Sequence, residues 1–338
     1  MNAILNAQTT LPWLEAQQLR LKQAASSGRL GGGWLIGGEQ GAGALWLARW
    51  TAALALCKSA SAPCGHCVAC KQVFDDQHPD CQFIGLQEEA QEIKVEQLRA
   101  LIAGFSLTSH GGGAKVCIIA PAERMNRFAA NALLKTLEEP SGRALLILVA
   151  EQPTRLLATL RSRCQQLSVP KPTQQAAAEW LSEKAGPGRW AELLALVGNA
   201  PLQALQLDAE QCLSMWQETR DALRPAELSG IDPVMLAEAW SRTQPVLRLR
   251  IIENWLTERI FAWARSQGTS DELRVDAQLH EGGEGLNIRM LFGSLEALRE
   301  ARALAETPVN RTLMLERLLW MLRGAATQRR PRWRSDPT

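Results

Sequence analysis

The sequence predicts an α/β domain built on a parallel sheet, followed by a long all-helical region. Three observations lead there. Two continuous apolar runs, AKVCIIA at 114–120 and RALLILVA at 143–150, have the composition of strands buried on both faces. A strand-like WLIG runs into the glycine-rich GGEQGAGAL at 37–45, and a helical pattern follows. Beyond about residue 169, only helical periodicities remain.

In chain order, GGWLIGGEQGAGALWLARWTAALALC gives a short strand, a glycine loop and an amphipathic helix from about Ala44. CQFIGL is a second strand, and KVEQLRALIAGF a helix with Val95, Leu98, Leu101 and Ile102 on one face. AKVCIIA is the third strand. RMNRFAANALLKTLEEP is a helix that Pro140 stops, and RALLILVA is the next strand. This alternation over residues 30–167 argues a parallel sheet. Two prolines in the polar SVPKPTQQAAAE at 168–179 mark a domain boundary.

Further on, VLRLRIIENWLTERIFAWAR places Leu249, Ile252, Leu256, Ile260 and Trp263 in one stripe at steps of three and four. VNRTLMLERLLWMLR behaves similarly, with Asn310 as its N-cap. The partition that follows is an α/β domain at 1–168, a helical lid at 169–208, a larger helical domain at 209–325 and a basic, solvated tail at 326–338. No internal repeat is present.

Composition narrows the function. A chain of 338 residues has room for two or three domains. The net charge of +2 supplies no global field that demands nucleic acid or an anionic membrane. ALLILVA falls far short of the ~20 residues of a membrane helix, and the first residues lack the pattern of a secretory signal. A cytoplasmic protein without a membrane partner is expected. Eight cysteines in such a chain argue against a disulfide framework.

GGEQGAGAL carries the frame of a phosphate-binding P-loop, G-x-x-x-x-G-K-[ST], whose backbone wraps phosphates, whose lysine reaches them and whose hydroxyl holds magnesium. Aligning Gly38 and Gly43 with the two glycines puts Ala44 at the lysine and Leu45 at the hydroxyl. Gly38, Gly41 and Gly43 preserve the backbone turn, and both charge-handling side chains are gone. In an active ATPase the following buried strand ends in a carboxylate pair that holds Mg²⁺ and activates water. Here it ends in Ala120 and Pro121. The loss is coherent, and points to a P-loop fold without hydrolysis.

CKSASAPCGHCVAC gives Cys57-x6-Cys64-x2-Cys67-x2-Cys70. Four thiolates complete a tetrahedral Zn²⁺ site with no open position, so the metal is structural. His66 lies within the knuckle as a spare ligand. An iron–sulfur cluster is the rival, although the ferredoxin spacing with its proline after the last cysteine is absent.

The zinc knuckle after the P-loop helix, NALLKTLEEP at 131–140 and LLATLRSRC at 156–164 fall into one frame. Together they resemble the bacterial clamp-loader ATPases of the AAA+ class. The resemblance implies an AAA+ domain with a helical lid and a helical collar, joined with delta-type and gamma- or tau-type subunits in a ring of five. Such rings use ATP to open a sliding clamp and place it on primer–template DNA.

It also implies that Ser162, Arg163 and Cys164 form a motif whose arginine enters a neighbour's ATP site. Lys135 faces the same phosphates, or else is a solvated helix lysine beside Glu138 and Glu139. Leu133, Leu134 and Leu137 are packing residues. Active members carry G-x-x-R in the lid, where this chain has Pro201. ATP is thus expected in neighbouring subunits rather than here.

Two other readings remain at this stage. An active ATPase would use unusual residues. A stand-alone zinc-containing nucleic-acid binder would use the basic RRPRWRS, against a near-neutral charge and an aromatic content of only 5%.

Overall fold

A computed structural model describes residues 5–87, 90–105, 113–139, 144–224, 230–267, 288–304 and 311–327. The chain forms two compact units, Met1–Leu207 and Asp208–Thr338.

In the first unit, α1 (Glu15–Ser26) precedes β1 (Gly32–Gly37), and the glycine loop leads into α2 (Ala44–Leu56). Then come α3 (Val68–Phe74), β2 (Cys81–Ile84), α4 (Val95–Phe105), β3 (Lys115–Ile119), α5 (Arg127–Glu138) and β4 (Ala144–Ala150). The short α6 (Ala158–Arg161) and β5 (Gln165–Ser168) complete the α/β part. The strands pair in parallel in the order β2-β3-β4-β1-β5.

All seven residues of β4 are buried, because the sheet is covered on both faces. One alternating set, with Leu35, Cys117, Ile119, Leu146 and Leu148, packs against Leu98 of α4 and Leu133 and Leu137 of α5. α2 touches β1, β3 and β4 but contributes nothing to that cluster, so it covers the other face.

The expected amphipathicity of α2 is not observed. Ten of its thirteen residues are buried, because α1, α3 and the sheet enclose it. Its Arg49 is buried with them and bonds both carboxylate oxygens of Asp76, at 3.1 and 2.7 Å. α5 is the opposite case. Asn126 caps it by accepting from the Ala129 N–H. Ala129, Ala130, Leu133 and Leu137 face inward, while Phe128, Asn131, Lys135 and Glu138 are exposed. Pro140 lies outside the described residues; α5 ends at Glu138.

Three further helices, α7 (Gln174–Ala185), α8 (Trp190–Leu196) and α9 (Pro201–Ala204), share this unit with the sheet. They are tied to its start. Trp180 of α7 donates to the Thr10 carbonyl at 2.7 Å, and its ring meets Trp13 edge-on at 5.6 Å.

The second unit is helical among its described residues: α10 (Ala209–Ala222), α11 (Pro233–Arg242), α12 (Pro245–Gln267), α13 (Ile288–Leu304) and α14 (Arg311–Thr327). Leu249, Ile252 and Leu256 of the α12 stripe are fully buried against Trp240, Leu298 and Leu315, and Ile260 packs beside them. The side chain of Trp263, the cap Asn310 and the tail beyond residue 327 lie outside the described residues. Arg248 is buried in this core because Thr219 and both carboxylate oxygens of Glu218 accept from it, with Trp240 beneath its guanidinium. No described helix is long and apolar enough to cross a membrane.

Candidate functional site

In a parallel sheet, ligands bind beyond the carboxyl ends of the strands, where the order reverses. Here β1 lies between β4 and β5, so the loop after β1 is the place to look. A cavity of about 410 Å³ opens there, lined by the glycine loop, Ala120 and Pro121 after β3, Glu151 after β4, and Leu202 and Gln203 of α9. Ala44 and Leu45, the first residues of α2, line it. Among the described lining residues the sole lysine or arginine is Arg49, which is engaged by Asp76. Glu39 of the loop is paired with Lys171 at 2.8 Å. The first carboxylate beyond Pro121 is Glu123, which accepts from the Glu151 and Gln152 N–H groups and so fixes the turn after β4.

The loop is held by protein on several sides. Gly43 caps α2 with φ of 113°, and Gly41 has φ of 77°. The Leu202 N–H donates to the Gly41 carbonyl at 3.1 Å, and Trp13 Nε1 donates to the Ala42 carbonyl at 2.8 Å. A Cβ on Gly41 would lie 2.8 Å from Ala200 Cβ and 2.9 Å from Gln203 Cβ. Pro201 is the first residue of α9, where its fixed φ suits the helix start and its missing N–H costs nothing. Pro201 thus starts the helix whose next residue, Leu202, binds the loop.

Cys57, Cys64, Cys67 and Cys70 converge, with all four sulfurs within 4.8 Å of one another. Cys57 Sγ lies 3.7 Å from Cys64 Sγ and 3.9 Å from Cys67 Sγ. A tetrahedron with metal–sulfur arms of about 2.3 Å has edges of about 3.8 Å, so the donor set fits a four-coordinate ion. The Cys70 N–H donates to Cys67 Sγ, the backbone–sulfur contact of a tight knuckle. Gly65 turns the knuckle at φ of 78°, close against Gln8. Hydrogen bonds to the backbone at Cys67, then at His66, bring the Cys64 thiol down to about 6, while burial pushes Cys70 up to about 12. His66 is outside the sulfur set, and its Nδ1 lies 2.9 Å from the Cys64 carbonyl oxygen.

Arg163 follows α6. Its neighbour Cys164 is buried in the core, where burial pushes the thiol up to about 11. Gly33 lets this segment close on β1, since a Cβ there would meet Leu137 and Cys164 at 2.4 and 3.1 Å. The backbone under Arg163 is therefore fixed, while its side chain emerges beside the end of α5. Arg163 Nε donates to Glu138 Oε1 at 2.7 Å, Nη2 lies 2.6 Å from the same oxygen, and Nη1 donates to the Thr159 carbonyl at 3.1 Å. Lys135, one turn earlier, is exposed and has no ion-pair partner among the described residues. Sequence spacing alone offered Glu138 to Lys135; the fold gives it to Arg163.

Comparison with known proteins adds a separate line of information. Residues 14–173 match the family model described as "DNA polymerase III, delta subunit". DNA polymerase III subunit delta′ of Pseudomonas aeruginosa is 34% identical over 323 residues, covering 91% of this chain and 95% of that protein. Its namesake from Escherichia coli is 30% identical over 318 residues, covering 91% and 93%. DNA polymerase III subunit tau of E. coli is 32% identical over 148 residues, 43% of this chain and 23% of that protein.

Proposed function

The chain belongs to the family of DNA polymerase III delta′ subunits, clamp-loader proteins of the AAA+ fold, and from that premise we propose that it is a non-hydrolysing ring subunit that supplies an arginine finger to a neighbour's ATP site. Its neighbours are delta-type and gamma- or tau-type subunits. Through the assembly it serves the sliding clamp and primer–template DNA. Zn²⁺ occupies the four-cysteine site as a structural ion, satisfying four thiolates and leaving no position for substrate.

The observation that carries the first half is the cleft itself. Ala44, Leu45, Ala120 and Pro121 line it, Pro201 opens α9 beside it, and α9 is hydrogen-bonded to the loop through Leu202 and Gly41. Among the described lining residues no lysine, serine or threonine stands in the loop, Arg49 is engaged by Asp76 and Glu39 by Lys171. Gly38, Gly41 and Gly43 hold the strand–loop–helix turn rather than productive nucleotide.

The second half rests on Arg163. Charge accumulates on phosphoryl oxygens in the transition state, and a guanidinium delivered from outside the site stabilises it. Fingers of this kind contribute roughly 10³–10⁵ in rate in other NTPases. Arg163 is anchored in its backbone and partly exposed at its tip, as a group acting in trans needs to be. Lys135 stands on the exposed face of the same helix as Glu138 and acts as a second, weaker cation toward the neighbour's phosphates.

The test is ATP turnover, first by the purified chain and then by the reconstituted ring with and without it. The chain alone is expected to show none, and the ring lacking it to lose DNA-stimulated hydrolysis. Robust turnover by the isolated chain would refute the non-hydrolysing reading.

A further inference from the structure

We infer that Glu138 is a positioning residue for Arg163: it presents the outer edge of the guanidinium to the neighbour's phosphates. This deepens the finger reading above and rests on it.

A guanidinium has five N–H groups. Nε donates to Glu138 Oε1, Nη2 lies in ion-pair contact with the same oxygen, and Nη1 donates to the Thr159 carbonyl. Two donors are thereby committed, and Nη2 is drawn to the same carboxylate. At least one N–H remains on each of Nη1 and Nη2, the pair whose spacing matches two phosphate oxygens.

Without the carboxylate, a flexible arginine would sample many rotamers, and the neighbour's site would have to order it at the moment of reaction. Glu138 holds it beforehand. The pair has the exposure this role needs, since the side chains are 38% and 50% accessible. It is too wet to be explained as a stabilising core contact. Both of its supports are rigid. Glu138 is the last residue of α5, whose Leu137 is buried, and Thr159 lies in α6 next to the buried Leu160.

Four variants of the full chain in the reconstituted ring test this: E138A, E138Q, R163A and the E138A/R163A double variant. Glu138→Ala should lower kcat for ATP about three- to tenfold, with KM within about twofold, because the lost orientation is felt in the transition state. Ring assembly and the thermal midpoint should not move. Glu138→Gln, whose amide oxygen still accepts, should recover part of the loss. The double variant should be no slower than Arg163→Ala.

Slow Arg163→Ala beside full-speed Glu138→Ala would overturn the positioning role and leave the finger in place. Full speed in both would remove the finger and this inference with it. A double variant slower than Arg163→Ala, or faster hydrolysis by Glu138→Ala, would also overturn it, since Glu138 would then act apart from Arg163 or restrain it.

Discussion

Replacing Gly41 by alanine should destabilise the first unit through the backbone of the loop and its contact with α9. Two costs are added. At φ of 77° a Cβ costs about 1–2 kcal/mol in the left-handed region. That Cβ would also lie 2.8 Å from Ala200 Cβ, 2.9 Å from Gln203 Cβ and 3.1 Å from the Gln203 backbone nitrogen. Overpacking of this kind costs about 1–3 kcal/mol, and backbone cannot swing aside as a side-chain tip can.

The sum is about 2–5 kcal/mol, or about 4–20 °C in the melting of a unit of this size. Gly28 separates the two terms. It has φ of 70° with nothing within 4 Å of its Cβ position, so Gly28→Ala should show the conformational cost alone. The assay is thermal unfolding together with hydrogen exchange of the peptides spanning the loop and α9. Exchange at Leu202 should rise in Gly41→Ala as its bond to the Gly41 carbonyl lengthens. If Gly41→Ala melts like Gly28→Ala and α9 exchanges as in the parent, the loop glycines do not serve the seating of the lid.

Two other outcomes follow from the same geometry. Treatment with a chelator should lower the melting of the first unit, and Cys70→Ser should do the same while lowering the zinc content read by metal analysis; neither should bring ATP turnover to the isolated chain. Restoring the P-loop side chains with Ala44→Lys and Leu45→Thr together should still give no hydrolysis, because Ala120, Pro121 and Pro201 leave the carboxylates and the lid arginine missing; measurable turnover by that variant would show that the loop alone had silenced the site.

The sequence makes some of this structure legible and conceals the rest for physical reasons. β3 and β4 stand out because burial on both faces demands unbroken apolar runs. β5 does not, because at the sheet edge its residues Gln165, Gln166 and Ser168 are exposed and only Leu167 is buried. α2 was expected to be amphipathic, but enclosure by α1, α3 and the sheet leaves it no polar face. The cysteine set is readable because ligand spacing is local. The clamp of Trp13 and Leu202 on the loop joins segments far apart in the chain, and no local pattern announces it. The pairing of Glu138 with Arg163 is similar. Both lie in conspicuous motifs, but only the packing of α5 against α6 decides that Glu138 meets Arg163 rather than Lys135.

The proposed loss of hydrolysis rests on several residues, whereas the proposed service to a neighbour rests on one side chain, that of Arg163. The measurement that tests this most directly is DNA-stimulated ATP hydrolysis by the reconstituted ring carrying Arg163→Ala, with assembly checked in the same sample. A finger acting in trans predicts an intact ring that hydrolyses ATP more slowly. An intact ring that hydrolyses ATP at the parent rate would contradict it.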